Sequence, residues 1–403
     1  MLVALVAALP TYAADPAARE GWGFGGVPAV NYNADEGFGF GAVGSIYRYD
    51  GETRPYKTAL NVILFATTRA VQTHSLEVDA LELGGRPIRL TAKAELAATK
   101  TSNWCGGGPV VACDPAVAEA AADARSLSGA AREDFVGHYY RTRFLNPNAQ
   151  LNVRWAVDPK PHRVELFAGY RASAMIPGDL ASAEPYAGSL YDRDFPGGER
   201  GLVSGVQVGV SLDDRDNEPA PIRGYWIEGS VRAASVVLGS DYEHVGFNTT
   251  VRGYLPLGTD RLVLADRLML DGLVGDAHTV ELGTPGGLQR YTFYGSLNAG
   301  RGVRLRRYVG KVKAMEQAEL RWTYASPVIA KVPVDLGVLA FLDVGFVGED
   351  FSDLDRMFAH PLPGMGGGLR FAFDGNFVIR ADVGVSPIED WAPAVYIDIK
   401  NLF

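Results

Sequence analysis

The densest run of chemistry-bearing residues lies between Phe293 and Arg321. Asn298-Ala299-Gly300-Arg301-Gly302-Val303-Arg304-Leu305-Arg306-Arg307-Tyr308-Val309-Gly310-Lys311 leads to Glu319-Leu320-Arg321, and Phe341-Leu342-Asp343-Val344-Gly345 adds a further acid. These residue types make guanidinium–carboxylate pairs, whose parallel N–H···O bonds fix geometry as well as charge. One expectation pairs Arg301 with Asp343, with Glu319 and Arg321 extending a polar network; the other leaves these charges lining a wet pore. Cys105 and Cys113 enclose Gly-Gly-Gly-Pro and are expected to form a local disulfide, since no His or further Cys stands nearby to make a metal pair. The histidines, His74, His138, His162, His244, His278 and His360, show no Ser-His or metal-ligand spacing, and Gly283-Thr284-Pro285-Gly286-Gly287 lacks the Lys-Ser/Thr end of a phosphate loop. No catalytic residue, metal or cofactor is expected, and the chain is not read as an enzyme.

The composition narrows what can position such pairs. The 403 residues include 48 glycines and 2 cysteines, with 47% hydrophobic and 21% charged residues and a net charge of −9. No apolar run reaches the ~18 residues of a membrane-spanning helix, the chain is too apolar for disorder, and the acidic balance argues against a nucleic-acid partner. Leu2 to Leu9, followed by Pro10 to Ala14, reads as the apolar core and cleavage site of a secretory leader without its basic start. Residues 1–14 are therefore expected to be a signal peptide, truncated or trimmed; an apolar N-terminal strand or helix is the alternative. Residues 15–27 are expected to be a short periplasmic lead.

Beyond residue 27 the hydrophobic period is 2 almost throughout, the signature of half-buried strands. In 377–385, Phe, Ile, Ala and two Val share one face, while Arg380, Asp382 and Gly384 share the other. Sixteen such segments are expected, at 28–33, 37–49, 55–67, 70–81, 88–102, 149–157, 162–175, 202–213, 221–236, 242–256, 261–274, 311–325, 332–347, 363–374, 376–386 and 394–403. Every second connection is short, and the long ones, 103–148, 176–201, 275–310 and 348–362, all fall in the other set. A soluble sandwich has no reason to sort loops by parity. An outer-membrane barrel has short periplasmic turns, longer extracellular loops and an even strand number. The expected fold is all-β: a 16-stranded antiparallel transmembrane barrel over 28–403. Residues 115–134, rich in alanine, are expected to form one or two short helices in a surface insertion.

The ordered motifs resemble the BamA/TamA superfamily, the bacterial surface antigen family, over residues 23 to 403. The resemblance places Arg301-Gly302 at the tip of a sixth extracellular loop that folds into the lumen, with Arg307, Tyr308 and Gly310 following. It implies that Phe341, Asp343 and Gly345 form the strand whose acid holds the loop arginine, and that Glu319 and Arg321 stand on the next strand. Gly368-Leu369-Arg370 with Arg380-x-Asp382 is similar to the penultimate strands, Phe135-Val136-Gly137 to a motif before the sixth strand, and Phe403 to the terminal aromatic assembly signal. Gly300 and Val303 depart from the family's hydrophobic and aromatic neighbours, which implies a less firmly packed tip. A second register takes Val303-Arg304 as the motif, with Leu305 where glycine is required. Residues 15–27 are too few for a POTRA domain, so a barrel-only member is expected.

The resemblance implies a role in inserting or translocating outer-membrane proteins, through a weak seam whose edge groups template an incoming strand. The first strand carries Pro28 and is short. The expected partners are outer-membrane lipid, client barrel proteins and a separate periplasmic protein. The competing reading is a passive channel or structural barrel.

Overall fold

The computed structural model describes residues 20–33, 37–53, 55–109, 113–158, 163–177, 187–218, 220–329, 332–373, 377–399 and 401–403. The leader at 1–14, residues 15–19, His162 and Gly375 lie outside them. The strands are β1 (Glu20–Asn33), β2 (Gly37–Asp50), β3 (Thr58–Thr67), β4 (Gln72–Ala80), β5 (Ile88–Asn103), β6 (Arg141–Asp158), β7 (Arg163–Pro177), β8 (Gly201–Asp213), β9 (Gly224–Ala234), β10 (His244–Pro256), β11 (Leu262–Gly275), β12 (Val312–Ala325), β13 (Val328–Ile329), β14 (Val332–Gly348), β15 (Leu362–Phe373), β16 (Phe377–Val385) and β17 (Ala394–Ile399). Apart from the two-residue β13, which extends the β12–β14 hairpin, each strand pairs antiparallel with the next along the chain. The sheet curls until β1 and β17 meet, at one register pair among the described residues, Tyr32 opposite Val395.

The period of 2 gives the sheet two unlike faces, and β11 shows how. Ala265, Arg267, Met269 and Asp271 are buried, while Leu264, Leu268 and Leu270 are exposed. This reverses the usual soluble pattern, in which charged residues stay outside. Buried guanidiniums and carboxylates line one face between β4 and β16, and leucine, valine and tryptophan cover the other. Among the described residues no helix is long and apolar enough to cross a membrane, which says nothing about spanning by strands.

The long connections lie at one end of the sheet. In 104–140, α1 (Pro115–Ala124) and α2 (Gly129–His138) pack Ala118 and Ala122 against Phe135 and Tyr139. Asp114 caps α1 by accepting from Ala116 N at 2.9 Å, with Pro115 in the first turn. Cys105 and Cys113 form a disulfide. Three further short helices, α3 (Leu190–Asp194), α4 (Thr279–Leu282) and α5 (Leu354–Ala359), sit in the other long connections.

Three strand boundaries correct the sequence reading. The first strand begins at Glu20, so most of the stretch expected as a lead is strand, paired from Glu20↔Asp50 onward. Glycines stand between Trp22 and Phe24, where polar residues would have marked the second face. The sixth strand begins at Arg141 rather than 149; Pro147 masked it, although a proline removes only one ladder donor. The last strand ends at Ile399, opposite Ile379, and does not carry Phe403.

Candidate functional site

Residues 276–311, between β11 and β12, lie against the charged face. The tip turns tightly: Ser296 and Ala299 bridge, and Val303 N donates to Gly300 O at 3.1 Å. Gly302 has φ +96°, and a Cβ there would stand 2.6 Å from the Val385 backbone, so only glycine fits. The wall is hollowed to match. A Cβ on Gly345 would lie 2.4 Å from the Tyr294 ring, one on Gly364 would lie 2.2 Å from Arg301 O, and one on Gly384 would lie 2.8 Å from Arg301 C.

Arg301 occupies the hollow with 0% exposure. Its Nε and Nη2 donate to Asp343 Oδ2 and Oδ1 at 3.0 and 2.9 Å, a two-point pair, and its backbone N donates to Asp343 Oδ2 at 2.9 Å. Nη1 donates to Glu319 Oε1 at 2.7 Å and Asp382 Oδ2 at 3.2 Å. The guanidinium carbon stands 3.5 Å from the Phe341 ring centroid, a cation–π stack that shields it from water. Around it, Arg321 Nε donates to Glu319 Oε2 at 2.7 Å, Arg370 pairs with Asp382 and Glu319, and Arg380 Nη2 reaches Asp398 Oδ2 at 2.9 Å. Arg301, Arg321, Arg370 and Arg380 thus face Glu319, Asp343, Asp382 and Asp398, a charge-balanced network that is buried at its centre and part-exposed at Arg321 and Asp398. Such a network can hold a loop in one place. Among the described residues no three metal-ligating side chains cluster, and nothing in the network is arranged as a nucleophile with its base.

The geometry decides between the two registers. Arg304 is half-exposed and pairs with Glu389 at 3.2 Å, so Arg301 is the anchored residue. Arg307 also pairs with Glu389, and Tyr308 is buried with Phe293, Met315 and Val347. A Cβ on Gly310 would meet Gly348 O at 2.2 Å. The tip is not loosely packed, which corrects the expectation from Gly300 and Val303. Tyr294 fills the space beside Gly300, where a Cβ would stand 2.5 Å from its ring, and Val303 joins the same buried cluster.

Phe403 stands elsewhere than at the end of a strand. With Leu402 it packs on the charged face against Tyr254, Val263 and Ala265, and Arg267 and Arg321 each place a cation 5.1 Å from its ring centroid. The disulfide segment rests on the base of the 276–311 loop, where Gly108 N donates to Val309 O at 2.9 Å. The sequence reading missed four partners: Asp382, Glu389, Tyr294, whose hydroxyl bonds Leu362 O, and Tyr396, whose Oη accepts from Gly302 N at 3.0 Å. Alternation puts Asp382 on the polar face, and Tyr396 with Asp398. Glu389 and Tyr294 carry no sequence signal for their contacts.

No protein-family model matches the sequence, and no curated protein matches it. Solved structures do. Haemophilus ducreyi BamA lacking POTRA domains 1-3 aligns over 95% of this chain and 70% of its own, with TM-score 0.53 and 12% identity. The chain has the fold of BamA and CdiB. CdiB from Escherichia coli aligns over 94% of this chain and 62% of its own, at TM-score 0.54 and 11% identity. CdiB from Acinetobacter baumannii gives 94% and 59%, at 0.51 and 12%. The chain spans less than two thirds of either CdiB. Within this BamA-like fold, the buried Arg301 network is the place where the sequence motif and the geometry coincide.

Proposed function

We propose that the chain is an integral outer-membrane barrel of the BamA/TamA superfamily, sixteen strands closed at the β1–β17 seam, with its sixth long loop locked inside the lumen by Arg301. Its function is to take part in inserting or translocating outer-membrane proteins. The observation that carries this reading is Arg301 itself: a loop-tip residue with no exposed surface, bonded to three carboxylates from three different strands, on a fold shared with BamA and CdiB. The inverted faces support a lipid setting, since hydrocarbon takes the apolar side chains and water the charged ones. Trp155 and Trp322, exposed near the short turns, suit an interfacial girdle.

The seam supports the mechanism. Among the described residues β17 shares six register pairs with β16 and one with β1. An edge with so few register pairs can template an incoming strand. Cysteines at Tyr32 and Val395, cross-linked in proteoliposomes, are expected to abolish client-barrel insertion, and reductant to restore it. Full insertion with the seam closed would refute the mechanism. The second reading, a passive channel or structural barrel, draws on the charged lumen wall; it predicts conductance without insertion activity. A separate periplasmic partner would co-purify in mild detergent.

A further inference from the structure

At the end of the sheet opposite the long connections, the turn over 214–223 between β8 and β9 leaves its own edge. Glu218 reaches Arg89 on β5, whose Nη1 donates to Oε1 at 3.0 Å and Oε2 at 3.1 Å. The wall holds Arg89 from the other side: Nε and Nη2 donate to Asp79 Oδ1 and Oδ2 at 2.8 and 2.7 Å, and Tyr56 Oη donates to Asp79 Oδ2 at 2.9 Å. The turn keeps its shape through its own bonds. Arg215 Nη1 donates to Glu218 O at 3.2 Å, and Asp216 Oδ1 accepts from Asn217 N and Ile222 N at 2.9 and 3.0 Å. Its other shoulder, Ile222, packs on the cluster that Leu402 and Phe403 form with Tyr254 of β10 and Val263 and Ala265 of β11. In the sheet order β5 and β11 are six strands apart, so the turn and residues 401–403 together span the strands between them.

The fastening is of a releasable kind. The Glu218 side chain is 36% exposed against 3% for Asp79. If Glu218 leaves, it is rehydrated; Arg89 Nη1 gives up its two bonds, and Nε and Nη2 keep theirs to Asp79. The large penalty for breaking a buried pair comes from the uncompensated partner, and here Asp79 still neutralises Arg89. With one partner half-exposed, the pair contributes less than a buried one.

We propose that residues 214–218 and 220–223, with 401–403, form a strap across the lumen mouth on the short-turn side, fastened by Glu218 to Arg89, and that passage into the lumen from that side requires the strap to swing away. This rests on the reading of the chain as a membrane barrel. The full chain, Glu218→Gln, and a variant with 214–223 replaced by a two-residue Asn-Gly turn are reconstituted in planar bilayers, with heat-modifiable gel mobility as the check on folding. The unmodified chain is expected to conduct least, Glu218→Gln to open several-fold more often, and the Asn-Gly variant to show several-fold larger conductance. Unchanged conductance in either folded variant overturns the strap and leaves the barrel reading standing. If the unmodified chain shows neither heat-modifiability nor any conductance in any variant, the barrel reading falls and the strap with it.

Discussion

Arg301 and Arg89 sit in the same kind of chemistry and are held differently. Each guanidinium is shared by carboxylates from more than one element. Around Arg301 all three acids are fully buried, an aromatic ring covers the cation, and wall glycines let the loop backbone sit close. Around Arg89 one acid is buried and the other is open to water. Removing Arg301 leaves buried Asp343 without its guanidinium and takes one cation from Glu319 and Asp382, whereas releasing Glu218 leaves Arg89 paired with Asp79. Whether a charge pair is a lock or a latch is decided by what remains buried after it breaks. The two regions also touch: Arg321, which bonds Glu319 at the lock, donates from Nη2 to Phe403 O at 3.3 Å beside the strap.

The sharpest way to break the comparison is to remove the lock. Arg301→Ala is expected to lower stability by about 3–5 kcal/mol in chemical unfolding, and to make 276–311 protease-sensitive. Wild-type stability and loop protection would abolish the lock. Arg301→Lys keeps the charge and loses the planar fork, so it should recover only part of the loss. Next in size is the wall. Gly345→Ala and Gly384→Ala place a methyl into Tyr294 or the Arg301 backbone and should cost about 1–3 kcal/mol by overpacking, with the loop again exposed to protease. A latch should behave otherwise. Glu218→Gln is expected to change unfolding stability by less than about 1 kcal/mol, and a loss as large as that of Arg301→Ala would erase the distinction.

The smallest effect concerns a loop contact outside both regions. Glu199 accepts from Thr279 N at 3.1 Å and stands beside His278, its Oε2 3.4 Å from Nε2. Burial, with Asp276 adding to it, pushes the Glu199 carboxyl up to about 7 against its bonds from Thr279. Burial pushes the His278 imidazole down to about 4, with Glu281 and Arg306 acting in opposite senses. The raised acid contributes stability that is lost as pH rises toward 7; the lowered imidazole contributes stability that is lost as pH falls from 6.5 toward 4. Between 4.5 and 6.5 the two slopes oppose, so protection of the Thr279 amide from hydrogen exchange should be nearly flat there and fall on either side. Glu199→Gln should remove the fall above 6.5; a fall that persists would assign it to another group.

Much of the fold was legible because a strand with two unlike faces writes its period into the chain. Residues 377–385 read correctly, and the parity of the connections located the long ones at one end. The failures have physical causes. Trp22 and Phe24 alternate with glycine, which carries no polarity to mark the opposite face, and Pro147 sits in a strand that tolerates it. At the lock, Arg301 and Asp343 were readable from the motif, while Glu389 and Tyr396 were not. Their roles depend on how the 386–393 connection and β17 come to lie beside the loop.

By itself the sequence determined, for most strands, which residues share a face, which connections are long, and that the 293–345 stretch supplies guanidiniums and carboxylates. These are properties of neighbours two residues apart, and the chain carries them locally. Only the tertiary structure decided which arginine is buried, that Asp382 joins Asp343 and Glu319 around it, that Phe403 turns onto the charged face instead of ending a strand, and that Glu218 meets Arg89 across 129 residues. Contacts of that range follow from the curl of the whole sheet, which brings distant strands to one interior, and no local period encodes them.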